Sequence, residues 1–221
     1  MNLDLRVYVI TTTLPRLGRD HLAIAEAAVR GGATVLQFRD KTMNDAEFAA
    51  AASRILAVTR PSNIPLIVND RYVVAAAIGA EGVHVGQGDA AVYEIRRTSP
   101  GMVIGASATS YDEAQAACDA GADYLGVGPI FSTGSKADAT PPMGLTELAR
   151  ICRDVKLPVV AIGGIHSGNL ESIVDAGVAG AAVIAAVCEA ADMAAATAEL
   201  RSAWEKYSQL TTGVPRAADP D

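Results

Sequence analysis

Three cations, two carboxylates and several amides and hydroxyls stand at the ends of short apolar runs in this 221-residue chain. Gln37, Arg39 and Lys41 follow one run, Asn69 and Asp70 another, Gln87 and Asp89 a third, Ser107 a fourth, and Thr133, Ser135 and Lys136 a fifth. Arg39, Lys41 and Lys136 aimed at one place would make a cationic pocket in an acidic protein, and an anionic substrate is the natural occupant. Asp70 and Asp89 each precede a helical stretch, so each could be a helix cap. They could instead hold Mg2+, which binds through one or two carboxylates and completes its shell with substrate phosphate oxygens. Three cations and a divalent metal against two carboxylates leave the pocket positive enough for a polyanion such as pyrophosphate. No Ser-His-Asp arrangement, zinc spacing or Walker loop is visible. His84 lies within an apolar run and reads as a packed, hydrogen-bonded residue. His166 follows a double glycine, closer to the polar cluster, with no nucleophile to pair with.

The segment GADYLGVGPIFSTGSK (121–136) joins these residues to a scaffold. It starts as a buried strand, and Gly126 and Gly128 leave space for close approach to the backbone. Pro129 ends the pairing, and the polar run Ser132 to Lys136 has the composition of an anion-wrapping loop, although a solvated turn has the same composition. Gly163-Gly164 and Ile184-Ala185 suggest a second phosphate site of backbone amides and a short helix start; a packing role for the glycines fits equally.

The elements that must position these residues are read from periodicity and breakers. Strands are expected at residues 6–11, 34–38, 66–68, 82–85, 102–105, 124–127, 158–162 and 181–184. Helices are expected at 21–30, from Asn44 or Asp45 to about 60, and at 71–78, 90–98, 112–119, 145–155, 169–175 and 193–207. The strands are continuously apolar rather than alternating, as where both faces of a parallel sheet are covered. RGGATVLQF, IGAEGVHVG, AGADYLGVG and AGVAGAAVI repeat one helix-end, glycine and strand pattern at intervals of roughly 40–55 residues, two β-α units each time. Eight such units predict an α/β protein with a single (β/α)8 TIM barrel over residues 1–210, followed by a disordered tail at 211–221. An open doubly wound sheet is the competitor, but no glycine-rich dinucleotide fingerprint follows the first strand. A barrel brings every polar strand end named above to one face, the face where active sites occur in this fold.

Net charge is −7, which argues against nucleic acid as a general partner. No apolar run is long enough to span a bilayer, so no membrane partner is expected either. Cys118, Cys152 and Cys188 lack metal spacing and read as reduced thiols; with no secretory signal visible, a cytoplasmic location is expected. A homo-oligomer is admitted but not specified.

In order and spacing, QFRDK (37–41), NDR (69–71), GVHVGQGD (82–89), GADYLGVGPIFSTGSK (121–136) and AIGGI (161–165) resemble the thiamine phosphate synthase family, the motifs running from the second strand to the seventh. The resemblance implies a barrel that joins a pyrimidine methyl diphosphate to a thiazole ethyl phosphate and releases pyrophosphate with Mg2+. Carried across by motif, Gln37, Arg39, Lys41, Asn69, Ser107 and Lys136 would bind the pyrimidine diphosphate. Phe38 and Asp40 join this substrate-binding set as part of QFRDK. Asp70 and Asp89 would hold Mg2+. Thr133, Gly134, Ser135, Gly164, Ile184 and Ala185 would hold the thiazole phosphate. Arg39, Lys136 and Ser107 are the implied catalytic residues, acting on departing pyrophosphate and a pyrimidine carbocation. The chain departs from the pattern at Ala185 (usually serine), Ser135 (threonine), Val73 (aspartate) and Ala91 (proline). A thiazole tautomerase of the same fold would carry a histidine where Thr109 stands, and would have no use for Asp70, Asp89 and Lys136. A non-catalytic phosphate-sensing barrel would not need Arg39 and both aspartates.

Overall fold

The computed structural model describes residues 3–87, 91–134 and 141–212. Eight parallel strands close into a barrel in chain order: β1 (Val7–Ile10), β2 (Val35–Phe38), β3 (Leu66–Asn69), β4 (Gly82–Val85), β5 (Val103–Ala108), β6 (Tyr124–Val127), β7 (Val159–Ile162) and β8 (Gly180–Val183). The ring is completed by β8 against β1, with Val7 opposite Ala181 and Val9 opposite Val183. Around it run α1 (His21–Arg30), α2 (Asp45–Thr59), α3 (Tyr72–Ile78), α4 (Val92–Thr98), α5 (Tyr111–Asp119), α6 (Gly144–Asp154), α7 (Leu170–Asp175), the four-residue α8 (Ala185–Cys188) and the closing α9 (Met193–Thr212). This is the expected (β/α)8 barrel. No helix among the described residues is long and apolar enough to cross a membrane.

Local chemistry explains the boundaries. Asp20 accepts the Ala23 amide and starts α1, Asn44 and Glu47 form a reciprocal capping box on α2, and Ser110 caps α5. Gly79, at φ +68°, turns the chain out of α3. β5 extends three residues beyond its expected end because Ser107, read from sequence as a loop hydroxyl, still pairs in the ladder opposite Gly126. α9 continues to Thr212, two residues into the stretch assigned to the tail; residues 213–221 lie outside the described residues.

Alternation along each strand divides the apolar residues between two cores. Val7, Leu36, Phe38, Val68, Val83, Ile104, Leu125 and their neighbours face the helices in one continuous layer that also holds Trp204. Tyr8, Ile10, Val35, Ile67, Tyr124, Val160 and Ala182 fill the barrel interior. The interior admits large rings because glycines lie beside them. A Cβ on Gly105 would overlap the Tyr124 ring and come within 2.5 Å of His84 Nδ1, and one on Gly126 would come within 2.8 Å of His84 Cε1. The register places Asn69 opposite His84, His84 opposite Gly105 and Gly105 opposite Tyr124, so these side chains share one level near the C-terminal rim.

Candidate active site

The C-terminal ends of the strands surround a pocket of about 440 Å³, counting its open end, lined by Tyr8, Ile10, Gln37, Arg39, Asn69, His84, Ser107, Tyr124, Gly126, Val160, Ile162 and Ala182. Four residues singled out in sequence, Gln37, Arg39, Asn69 and Ser107, therefore meet in one cavity. Gln37 is 3% exposed, and its Nε2 donates to the Tyr8 hydroxyl at 2.7 Å. Arg39 is half-buried and, among the described residues, meets no carboxylate, whereas Arg6, Arg60, Arg71, Arg96, Arg150 and Arg201 each do. A guanidinium has five donors in a planar fork that matches carboxylate and phosphate oxygens.

The neighbours of Arg39 in QFRDK behave differently, because adjacent strand residues face opposite ways. Phe38 is fully buried among the helices, edge-on to His21 at 4.7 Å and against Phe48 at 4.2 Å between ring centroids. Asp40 accepts from the Thr42 and Met43 amides, the Thr42 hydroxyl and His21 Nε2, the last at 3.1 Å. Burial alone would raise the Asp40 pKa, but the Met43 and Thr42 amides and the His21 ring together hold it well below the carboxylate range. These contacts make Asp40 the organiser of the β2–α2 turn, from whose surface Lys41 projects.

Asp70 sits just past β3 at φ +63°, one of two described non-glycine residues with positive φ. The Arg71 amide donates to the Asn69 carbonyl at 2.7 Å across it, and the Tyr72 amide to the Asp70 carbonyl at 3.0 Å, forming two successive γ-turns. Its own amide is tied to the His84 carbonyl at 2.9 Å. Arg71 anchors the turn from outside the pocket, donating to Asp45 and to the Met43 carbonyl and lying over the Phe48 ring. A strained backbone over-determined in this way at a pocket rim is characteristic of functional positions. Asp70 fits a hard cation by its oxygen chemistry. Among the described residues no group of three or more His, Cys, Asp or Glu side chains converges as a metal site. Asp89, Ser135 and Lys136 lie outside the described residues.

On the other side of the barrel, Gly163 and Gly164 have φ of +102° and +66°, and the loop after β6 lies directly on them. A Cβ would come within 2.6 Å of Pro129 at Gly163 and of the Ser132 carbonyl at Gly164. The double glycine thus has a packing function. It also seats the loop that leads to Thr133, half-buried, and Gly134, exposed. Ile184 packs against the interior cluster and Ala185 opens α8. His166 caps a short 3-10 turn with its Nδ1 and is exposed. Thr109 donates its hydroxyl to Glu113, in the cap of α5.

Sequence reading passed over Tyr8 and Tyr124 as strand apolar residues, and took His84 for a packed residue only. The two tyrosine hydroxyls are 2.8 Å apart, Tyr124 meets His84 Nδ1 at 3.1 Å, and His84 Nε2 meets Ser107 Oγ at 3.0 Å. Burial, chiefly, pushes both phenol pKa values above the ordinary 10.0. The signal was available: Tyr8, Gln37, Arg39, Asn69, His84, Ser107 and Tyr124 occupy inward positions, and residues two apart share a face.

Fold and pocket together are those of a (β/α)8 barrel with a polar pocket at its C-terminal mouth, where enzymes of this fold carry their active sites. The family model "Thiamine monophosphate synthase" matches residues 7–187. The chain is 46% identical over 199 residues to the thiamine-phosphate synthase of Chloroflexus aurantiacus, covering 90% of this chain and 92% of that one. It is 47% identical over 197 residues to that of a Roseiflexus species, covering 89% and 84%. The solved thiamine phosphate pyrophosphorylase of Pyrococcus furiosus superposes with a TM-score of 0.85 at 38% identity, covering 93% of this chain and 98% of that one. The chain belongs to the thiamine-phosphate synthase family. It is accordingly a transferase of the condensation that forms thiamine phosphate.

Proposed function

We propose that the pocket binds 4-amino-2-methyl-5-(diphosphomethyl)pyrimidine beside a thiazole ethyl phosphate and joins them by a dissociative route. The half-buried Arg39, aimed at the cavity with no carboxylate of its own among the described residues, is the observation that carries this reading. Gln37, Asn69 and Ser107 would hold the pyrimidine and its diphosphate with Arg39, Lys41 and Lys136. Phe38 would contribute by fixing the strand that presents Gln37 and Arg39, and Asp40 by shaping the turn that presents Lys41. Thr133, Gly134, Ser135, Gly164, Ile184 and Ala185 would hold the thiazole phosphate, mainly through backbone amides; Ala185 supplies no hydroxyl.

Asp70 and Asp89 would hold Mg2+, which when bound neutralises charge on the diphosphate. The protein's own part is electrostatic and geometric. Arg39 and Lys136 stabilise the departing pyrophosphate, Ser107 donates a hydrogen bond at the reacting centre, and the apolar walls at Ile10, Val160 and Ile162 keep water from the pyrimidine cation until the thiazole nitrogen attacks. No strong base or covalent nucleophile is required. Residues 1–210 would form the single catalytic unit.

The test is to mix the purified protein with both substrates and Mg2+ and follow thiamine phosphate and pyrophosphate. Arg39→Gln is expected to lower kcat/KM by about 10²-fold or more, the scale of losing one charge-stabilising donor. Asp70→Gly keeps the positive-φ turn without strain and removes the carboxylate, so it should remain folded and lose most Mg2+-dependent turnover. Near-parental turnover in Arg39→Gln would remove the basis of the proposal.

A further inference from the structure

Gln37 and Ser107 stand at the two ends of one hydrogen-bonded chain through the barrel. It runs from Gln37 Nε2 to the Tyr8 hydroxyl (2.7 Å), to the Tyr124 hydroxyl (2.8 Å), to His84 Nδ1 (3.1 Å), and from His84 Nε2 to Ser107 Oγ (3.0 Å). Tyr8 and Tyr124 are each 1% exposed, and each hydroxyl has two partners within the chain. A phenol with one proton and two partners donates to one and accepts from the other, and a neutral imidazole has one donor nitrogen and one acceptor. With His84 neutral the chain therefore has only two self-consistent directions. With the Gln37 amide donating to Tyr8, each proton points onward, His84 accepts at Nδ1 and donates at Nε2, and the Ser107 proton is left for the pocket. With the amide reversed, Tyr8 donates to Gln37 Oε1, His84 carries its proton on Nδ1, and Ser107 spends its own proton on His84. A doubly protonated His84 facing a donating Gln37 would strand a buried phenol proton with no acceptor, at a cost of about 1–3 kcal/mol.

We propose that this chain is a polarity relay: a ligand N–H accepted by Gln37 Oε1 commits the Gln37 Nε2 end to Tyr8, and through Tyr8, Tyr124 and His84 makes Ser107 a hydrogen-bond donor to the same ligand. Tyr8, Tyr124 and His84 are its positioning residues. The glycine at 105 is what admits the Tyr124 and His84 rings side by side. The relay rests on the reading of this pocket as the aminopyrimidine site, with Gln37 and Ser107 both touching the substrate.

Its test is separable from that reading, because the relay has a signature without turnover. In ligand-free protein 15N-labelled at its three histidines, with the His84 signals identified by their loss in His84→Asn, NMR should find His84 mainly as the Nε2–H tautomer. A carboxylate can only accept, so Gln37→Glu should place a proton on His84 Nδ1. An unchanged tautomer in folded Gln37→Glu overturns the relay. Should that variant fail to fold, Tyr8→Phe cuts the chain behind Tyr124 and should leave His84 a mixture of tautomers; parental tautomer populations there would overturn it as well. In turnover, Tyr8→Phe, which removes a hydroxyl remote from Ser107, should lower kcat about tenfold, one neutral hydrogen bond realised in the transition state, with KM for the diphosphate within about twofold. A purely structural hydroxyl would lower stability and move neither the tautomer nor kcat. If no condensation is seen in the parent protein, the functional proposal fails while the tautomer result still decides the relay.

Discussion

At the scale of single residues, the site depends on which way each strand residue faces. Arg39 and Gln37 point inward while Phe38 and Asp40, their immediate neighbours, serve the helical layer and the turn. The motif QFRDK was legible as a unit but not its division, because a sequence motif names residues without their faces; period-two alternation supplies that division. The same alternation would have turned Tyr8, His84 and Tyr124 from core residues into pocket residues. What it could not give is the space they occupy, which comes from glycines on neighbouring strands. Gly105→Ala puts a methyl group into the Tyr124 ring and 2.5 Å from His84 Nδ1. Overpacking of this kind costs about 1–3 kcal/mol, and here it also displaces two rings of the pocket wall, so turnover should fall together with the urea midpoint. Gly101, with nothing within 4 Å of an added Cβ, is the control, and its alanine variant should stay within about 0.5 kcal/mol of the parent. Parental stability and turnover in Gly105→Ala would mean that the interior has slack the contacts do not suggest.

At the scale of elements, seven of the eight strands were legible to within two residues because fully covered parallel strands read as unbroken apolar runs. β5 was cut short at Gly105 because Ser107 looks like a loop residue until its ladder partner is known, and α8 was legible only as a short helix start at Ile184-Ala185, without bounds, because four residues show no helical period. Loop order was the least legible, since it depends on contacts between elements distant in sequence. The β2–α2 turn is held by Asp40 and by His21 from α1, a pair with side chains only 8% and 5% exposed. Burial lowers the His21 pKa from 6.5, outweighing the attraction of Asp40, so the folded protein keeps the ring neutral, Nε2–H donating to Asp40 and Nδ1 accepting from Thr11. Unfolded His21 takes up a proton more readily than the folded form, so stability is full above pH 6.5 and falls as pH drops toward the folded pKa. The contribution of Asp40, whose pKa is depressed, is present above its ordinary 3.8 and is lost only in stronger acid. Between those values His21 alone of the pair titrates. His21→Gln should be less stable than the parent at pH 8, and the gap in Tm should narrow toward pH 5. A gap that stays constant across that range would rule out the buried neutral ring as its cause.

At the scale of the whole molecule, the barrel and its helical ring share one apolar layer rather than a patchwork of small cores. Strand residues such as Val9, Leu36, Val83 and Leu125 belong to the same cluster as Ile24, Ile55, Ile151 and Ile173 from four different helices, and as Trp204 from the last. Closure ties the chain ends to each other: β1 pairs with β8, Arg201 of α9 donates to the Gly32 carbonyl, and Gly31 lies against Thr197 so closely that a Cβ would come within 2.5 Å of the Thr197 Cβ. The first and last elements are thus locked together, and no element can leave without opening the layer that all share. A molecule of this kind should unfold as one unit. Trp204 is the sole tryptophan and is 5% exposed, so intrinsic fluorescence excited at the indole reports the release of α9 specifically, whereas far-ultraviolet circular dichroism reports all the helices. The two signals should give superimposable urea transitions, with one midpoint and one slope. Trp204→Ala should shift the dichroism midpoint down by the equivalent of about 3–5 kcal/mol, the cost of emptying a large buried ring site, while leaving kcat near parental at permissive temperature because the ring belongs to the helical layer and not to the pocket. A fluorescence transition that precedes the dichroism would instead make α9 a separately melting strap on a barrel able to stand without it.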